Sequence, residues 1–146
     1  MKNLFYTIIG VLGSLLTSLF GGWDDAIVTL LIFMAVDYIT GLIVAGVFHA
    51  SNKSPNGSLE SRAGWEGLCR KGVTLLVVLV ATRLDMAIGT HYIRDAGVIA
   101  FVANEALSII ENAGLMGIPI PKVIIRMIDV LKKHSEDGGC ENGRQD

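Results

Sequence analysis

The chain has 146 residues, 51% of them hydrophobic and 18% charged, with a formal net charge of −2 and a mean hydropathy of +0.54. Soluble domains carry about 25% charged residues, and here the apolar residues come in long uncharged runs rather than core-sized pieces, which excludes an ordinary soluble domain. The polar residues form no nucleophile–base set and no metal-ligand pattern, so no enzyme, no cofactor and no nucleic-acid partner is expected.

The first run, Asn3 to Trp23, has no charged residue. A helix needs roughly 20 residues to cross a hydrocarbon core, and the run predicts a span over 4–22. Gly10, Ser14, Ser18 and Gly22 recur every four residues, with Gly13, Thr17 and Gly21 beside them. Small residues at this spacing let helix backbones approach closely in lipid, where no hydrophobic drive joins helices. They suit packing against the second span or contact between protomers equally well. Lys2 ahead of an apolar stretch is compatible with a signal peptide, but no A-x-A-like cleavage site follows, and the segment is expected to stay. Gly21-Gly22-Trp23-Asp24-Asp25 reads as a tight exit turn, with Trp23 at the membrane interface.

The second span, 26–48, carries one charge, Asp37, with Gly41 and Ala45 one and two turns on. A carboxylate near the bilayer centre must face a partner or water. Arg83, the one cation inside an expected span, is its expected partner; Asp85 suits Arg83 less well, because i and i+2 point to different helix faces. Between the second and third spans, Lys53 to Ser58 predicts a turn. Residues 59–71 predict a short helix bearing Trp65 near the headgroups and ending on Arg70-Lys71 at a cytoplasmic face. The third span is expected over 72–93 and tolerates Arg83 and Asp85 near one end.

The fourth span, 96–114, is amphipathic. Ala96, Ala100, Asn104, Ser108 and Asn112 recur every four residues, flanked by Glu105 and Glu111. At membrane depth such a polar stripe must turn from lipid, toward another helix or toward water in an oligomer. Gly117-Ile118-Pro119-Ile120-Pro121 breaks the chain, and 121–133 predicts an interfacial helix. Its basic side, with Lys122, Arg126 and Lys133, suits anionic headgroups. Residues 134–146 read as a polar, disordered tail. Cys69 and Cys140 fall in segments expected to be cytoplasmic, where a disulfide is disfavoured.

All of the twelve lysines and arginines except Arg83 and Arg94 fall at Lys2, in the 53–71 connection or after residue 121. Because Lys and Arg are retained on the cytoplasmic side, the simplest solution has four spans and both termini inside. A three-span arrangement would strand the basic tail outside. The expected fold is all-α: an integral membrane helical bundle over 1–133, with four transmembrane helices and a C-terminal amphipathic helix.

Several of these residues, taken in order, resemble the toxin-secretion/phage-lysis holins of Gram-positive bacteria and their phages. They are Asp37-Tyr38-Ile39-Thr40-Gly41 in the second span, then Ser61, Gly64, Gly67 and Arg70-Lys71, and Asp85. Asn104-Glu105-x-x-Ser108-Ile109-x-Glu111-Asn112 and Gly117-Ile118-Pro119-Ile120-Pro121 complete the pattern. The resemblance runs from Asp37 to about Leu131. It implies a homo-oligomer in the bacterial cytoplasmic membrane, its partners the lipid bilayer and copies of itself, that opens a timed lesion. The cargo would be an endolysin or, in some relatives, a toxin. An antiholin could be a partner, and an antiholin or a small-solute or ion channel subunit are the alternative functions for such a chain. The 52–60 loop is longer, and the tail more acidic, than the resemblance leads one to expect.

Overall fold

The structure is a computed structural model and describes residues 1–137, so Cys140 and the end of the expected tail lie outside it. It contains five helices: α1 (Lys2–Leu19), α2 (Asp25–Gly46), α3 (Ser61–Ile88), α4 (Tyr92–Leu115) and α5 (Lys122–Asp137). Among the described residues there is no strand. By length and composition, α1, α2 and α4 are apolar enough to cross a membrane. The longer α3 carries Lys71, Arg83 and Asp85 along its apolar part.

Helix α4 is the hub, packed along α2 and α5 and more lightly against α3, while α2 and α3 scarcely touch. The apolar core joins Ile27, Leu30 and Met34 of α2 to Val78 of α3 and Val98 of α4. Between membrane helices such packing holds through close van der Waals contact rather than through a hydrophobic drive. Each connection has a local cause. Asp24 caps α2, its carboxylate accepting the Ile27 N–H at 3.0 Å. Aspartate is favoured there because it satisfies an N–H that has no helical partner. Gly89 ends α3 in the left-handed region, φ +73°, where glycine has no Cβ penalty. The turn predicted at 53–58 closes where the Ser51 N–H meets the Gly57 carbonyl at 3.0 Å. Gly57 has φ +69°, and a Cβ on it would lie 2.2 Å from the His49 carbonyl oxygen, so only glycine fits.

The Arg94 guanidinium donates to the Asp24 carboxylate at 2.7 Å. This pair joins the start of α2 to the start of α4, and Asn112 meets Asp37 further along both, so these two helices run in the same direction and α3, which connects them, runs back. Leu131 of α5 shares a small recess with Ala26 and Thr29 of α2 and Val98 and Val102 of α4. Helix α5 thus folds back along α4 toward its first turn, and not across the helix ends as the expected interfacial helix over 121–133 would lie.

Three expectations need correction. The short helix 59–71 and the span 72–93 are one continuous helix, α3, which begins at Ser61 and ends at Ile88; no proline interrupts it, and the Arg70-Lys71 pair lies inside it. Helix α1 buries none of its residues, and nothing approaches within 4 Å of a Cβ placed on Gly10 or Gly13. Packing of the Gly10/Ser14/Ser18/Gly22 face against α2 is therefore absent. Finally, α5 continues to Asp137, so the first part of the segment expected to be disordered is helical.

Candidate functional site: a buried polar node between three helices

The partner of Asp37 is Lys71, not Arg83. The Lys71 ammonium donates to Asp37 Oδ2 at 2.7 Å and to the Glu105 carboxylate. One cation from α3 thus bridges α2 and α4. Arg83 is exposed and reaches only the Met86 sulfur, at 3.5 Å. Helix register explains the difference. Asp85 lies level with the first turn of α4, whose Ile93 and Arg94 N–H groups it accepts. At 1.5 Å per residue, Lys71 lies about 21 Å from that level and Glu105 about 18 Å, while Arg83 lies only about 3 Å from it. Arg83 is at the wrong depth.

Around the shared ammonium the polar residues of two motifs interlock. Asp37 is 5% exposed, Glu105 7% and Asn112 6%. The Asn112 amide donates to Asp37 Oδ1 at 3.1 Å, to the Asp37 carbonyl at 3.3 Å and to Thr40 Oγ1 at 3.0 Å. Ser108 lies beside the Asp37 carboxylate. Gly41 lies against this contact: a Cβ on it would sit 3.7 Å from the Asn112 amide nitrogen, at ordinary van der Waals distance. The same motif's Tyr38 lies against Gly64 at the start of α3. Such a network satisfies each charge it buries, as low-dielectric surroundings demand.

The stripe of α4 is therefore divided. Glu105 and Asn112 are buried and Ser108 is half-buried, while Asn104 and Glu111 are exposed. The exposed pair lines a cleft of about 460 Å³ that lies between α2, α3, α4 and the 51–60 loop. The cleft also touches Asp37 and Lys71 from its side. Among the described residues no group of three or more His, Cys, Asp or Glu could hold a metal ion. The geometry offers charge pairing and a polar surface.

Asp85 has a second, separate role. Its carboxylate accepts the Thr90 hydroxyl at 2.6 Å, the Ile93 N–H at 3.2 Å and the Arg94 N–H at 2.7 Å, and so caps α4 from the end of α3. At the same end, the Arg94 guanidinium holds the Asp24 carboxyl below its ordinary pKa. Reasoning from the sequence missed Lys71, which reads as a stop at the membrane face when the helix is started at 72. The missing signal was continuity: nothing between Ser61 and Ile88 breaks a helix, so Lys71 belongs to its interior.

The family model for the bacteriophage holin family matches residues 14–133. An uncharacterised 14.9 kDa protein of Clostridium perfringens is 38% identical over 136 residues, which cover 90% of this chain and 97% of that protein. An uncharacterised protein of Listeria innocua is 35% identical over 132 residues, 88% of this chain and 89% of its own. A protein of Bacillus phage phi105 named "Probable holin" is 34% identical over 108 residues, 73% of this chain and 74% of that protein. No solved structure matches the chain. The matched residues include the whole polar node and both motifs that build it: the chain belongs to the bacteriophage holin family, a family of membrane proteins.

Proposed function

We propose that the protein accumulates in the bacterial cytoplasmic membrane, assembles with copies of itself and opens a lesion through which a cell-wall hydrolase or a toxin leaves. The observation that carries this reading is a polar stripe, Asn104 to Asn112, on a helix apolar enough to span a bilayer, in a chain similar to a phage protein named as a holin. Such a stripe must be kept from lipid, and an assembly of protomers can keep it so while lining an aqueous rim.

The chain crosses four times, with both termini cytoplasmic. Helices α2 and α4 begin at the same end, joined by Asp24 and Arg94. If both cross, α3 must return between them. The three charges along its apolar part do not forbid this. Lys71 is paired twice, Asp85 accepts three hydrogen bonds, and Arg83 near the helix end can reach the headgroups along its stem. Helix α5 folds back along α4 as far as Val98; to reach the cytoplasmic interface that its row of basic residues suits, it leaves α4 when the protein enters the membrane.

A single protomer cannot enclose the cargo. A folded domain of a hundred residues has a radius of gyration near 13 Å, whereas one helix is about 10–12 Å across. Passage requires many copies, with α4 at the rim and α1, which buries none of its residues within the protomer, between protomers. The test is expression of the full chain alone in a bacterium carrying a folded cytoplasmic reporter enzyme. Abrupt release of the folded enzyme is the expected result. Release of ions alone would identify a channel subunit, and no release would identify an antiholin.

A further inference from the structure

The attachment of α3 is uneven along its length. Its buried residues, Val78, Ala81, Thr82 and Asp85, all lie in its second half, and none ahead of Val78 is buried. At that second half the helix is packed into the core and tied to α4 through the Asp85 cap. Along the first half it borders the 460 Å³ cleft instead. There, Lys71 reaches across to Asp37 and Glu105.

We propose that Lys71 is a clamp that holds the first half of α3 against the polar faces of α2 and α4, and that the described arrangement of α2, α3 and α4 is the resting form of the protein. The inference rests on the lesion reading above, because a rim lined by the α4 stripe requires Glu105 and Asn112 to leave the burial in which they are found. Releasing the clamp is the step that frees them. Two carboxylates share one ammonium, so removal of Lys71 leaves two negative charges between α2 and α4 without a cation. Uncompensated buried charge is strongly unfavourable. The carboxylates can relieve it by taking up a proton or by α3 swinging away about its fixed end and admitting water, and only the second exposes the α4 stripe. Ser108, half-buried beside Asp37 on the wall of the cleft, reports that event as a rise in its rate of labelling.

The experiment places a thiol there, Ser108→Cys, in the full-length chain with Cys69→Ser and Cys140→Ser. Labelling by a membrane-impermeant maleimide is followed in membrane vesicles of both orientations, alongside lysis time and the amount of protein in the membrane. Lys71→Met is expected to raise the labelling rate about tenfold or more, the least that loss of a buried pair's partner should produce, and to advance lysis at equal accumulation. Lys71→Arg, which keeps a cation able to meet two carboxylates, is expected to restore slow labelling. If Lys71→Met does not accumulate, Asp37→Asn with Glu105→Gln is read instead, and faster labelling is again expected. Labelling unchanged by these substitutions, or already fast with Lys71 present, overturns the clamp. The two readings separate cleanly. Labelling that follows Lys71 in a chain that releases no enzyme keeps the clamp and rejects the lesion. Enzyme release with labelling indifferent to Lys71 does the reverse.

Discussion

The Asp85 carboxylate accepts the backbone N–H of Arg94 at 2.7 Å, so the last turn of one helix supplies the cap of the next. The same carboxylate takes the Ile93 N–H and the Thr90 hydroxyl, and it is 2% exposed. Asp85→Ala leaves these donors unsatisfied. The melting temperature in detergent should fall by about 5 °C or more, the scale expected when a helix cap is lost from a small domain. Asp85→Asn keeps an acceptor oxygen and should fall less. Circular dichroism melting of the three proteins checks the order.

The Asp24–Arg94 pair gives a pH dependence of definite sign. The Arg94 guanidinium lowers the folded pKa of Asp24 below the ordinary 3.8. The unfolded chain then takes up this proton first as pH falls. The stabilisation is complete above about pH 4 and is lost as pH drops through the lowered value. The Asp24 side chain is half exposed, so the ion pair itself is worth only about 0.2–1 kcal/mol. Asp24→Asn should lower the melting temperature slightly at pH 7, keep the α2 cap, and lose the component of acid sensitivity that the parent shows below about pH 4.

Asn112 answers Asp37 with an amide rather than a charge, and its donors meet acceptors on Asp37 and Thr40. Asn112→Leu strands these acceptors and should cost about 1–3 kcal/mol. Asn112→Asp should be worse, because it sets a second carboxylate against Asp37, where like charges repel at close range. The measurement is resistance to proteolysis in detergent. Equal resistance of the leucine and aspartate variants to that of the parent would show that the node contributes nothing to stability.

Much of this was legible in the sequence, for identifiable reasons. Long apolar runs with few charges marked α1, α2 and α4, because bilayer thickness leaves few alternatives for such stretches. The four-residue recurrence of Asn104, Ser108 and Asn112 marked the polar face of α4. The demand for a partner at Asp37 was also legible, since a buried carboxylate cannot stand alone. Which cation met it was not. Lys71 lies 34 residues from both Asp37 and Glu105, and only the relative depth of three helices brings it there. The cap made by Asp85 was hidden for a similar reason: it serves a helix that starts after a turn. The path of α5 along α4 depends on a loop angle that Gly117 to Pro121 permits without specifying.

The four-span topology predicts which thiols react from each side of the membrane. In a Cys69→Ser chain, Cys140 should react with an impermeant reagent only from the cytoplasmic side. With Cys140→Ser added, an introduced Glu60→Cys should react only from the cytoplasmic side and Asp95→Cys only from the outside. A Cys140 that reacts from the outside would overturn the cytoplasmic C-terminus and with it the four-span arrangement.

The rim assignment predicts a separation of insertion from lysis. Asn104→Leu, Glu105→Leu and Ser108→Leu together turn the α4 stripe apolar without shortening the helix. Insertion should persist, because leucine at mid-helix favours the membrane on insertion scales. Loss of Glu105 removes one of two partners of Lys71 but leaves Asp37 to hold it. A lesion edged by such helices would present leucine to water, at a cost of about 1.5–3 kcal/mol per fully exposed side chain and per protomer. Multiplied over an assembly, that penalty is prohibitive, so the triple variant should accumulate in the membrane and fail to release the reporter enzyme. Lysis on the parent's schedule at equal accumulation would move the water-facing rim off α4.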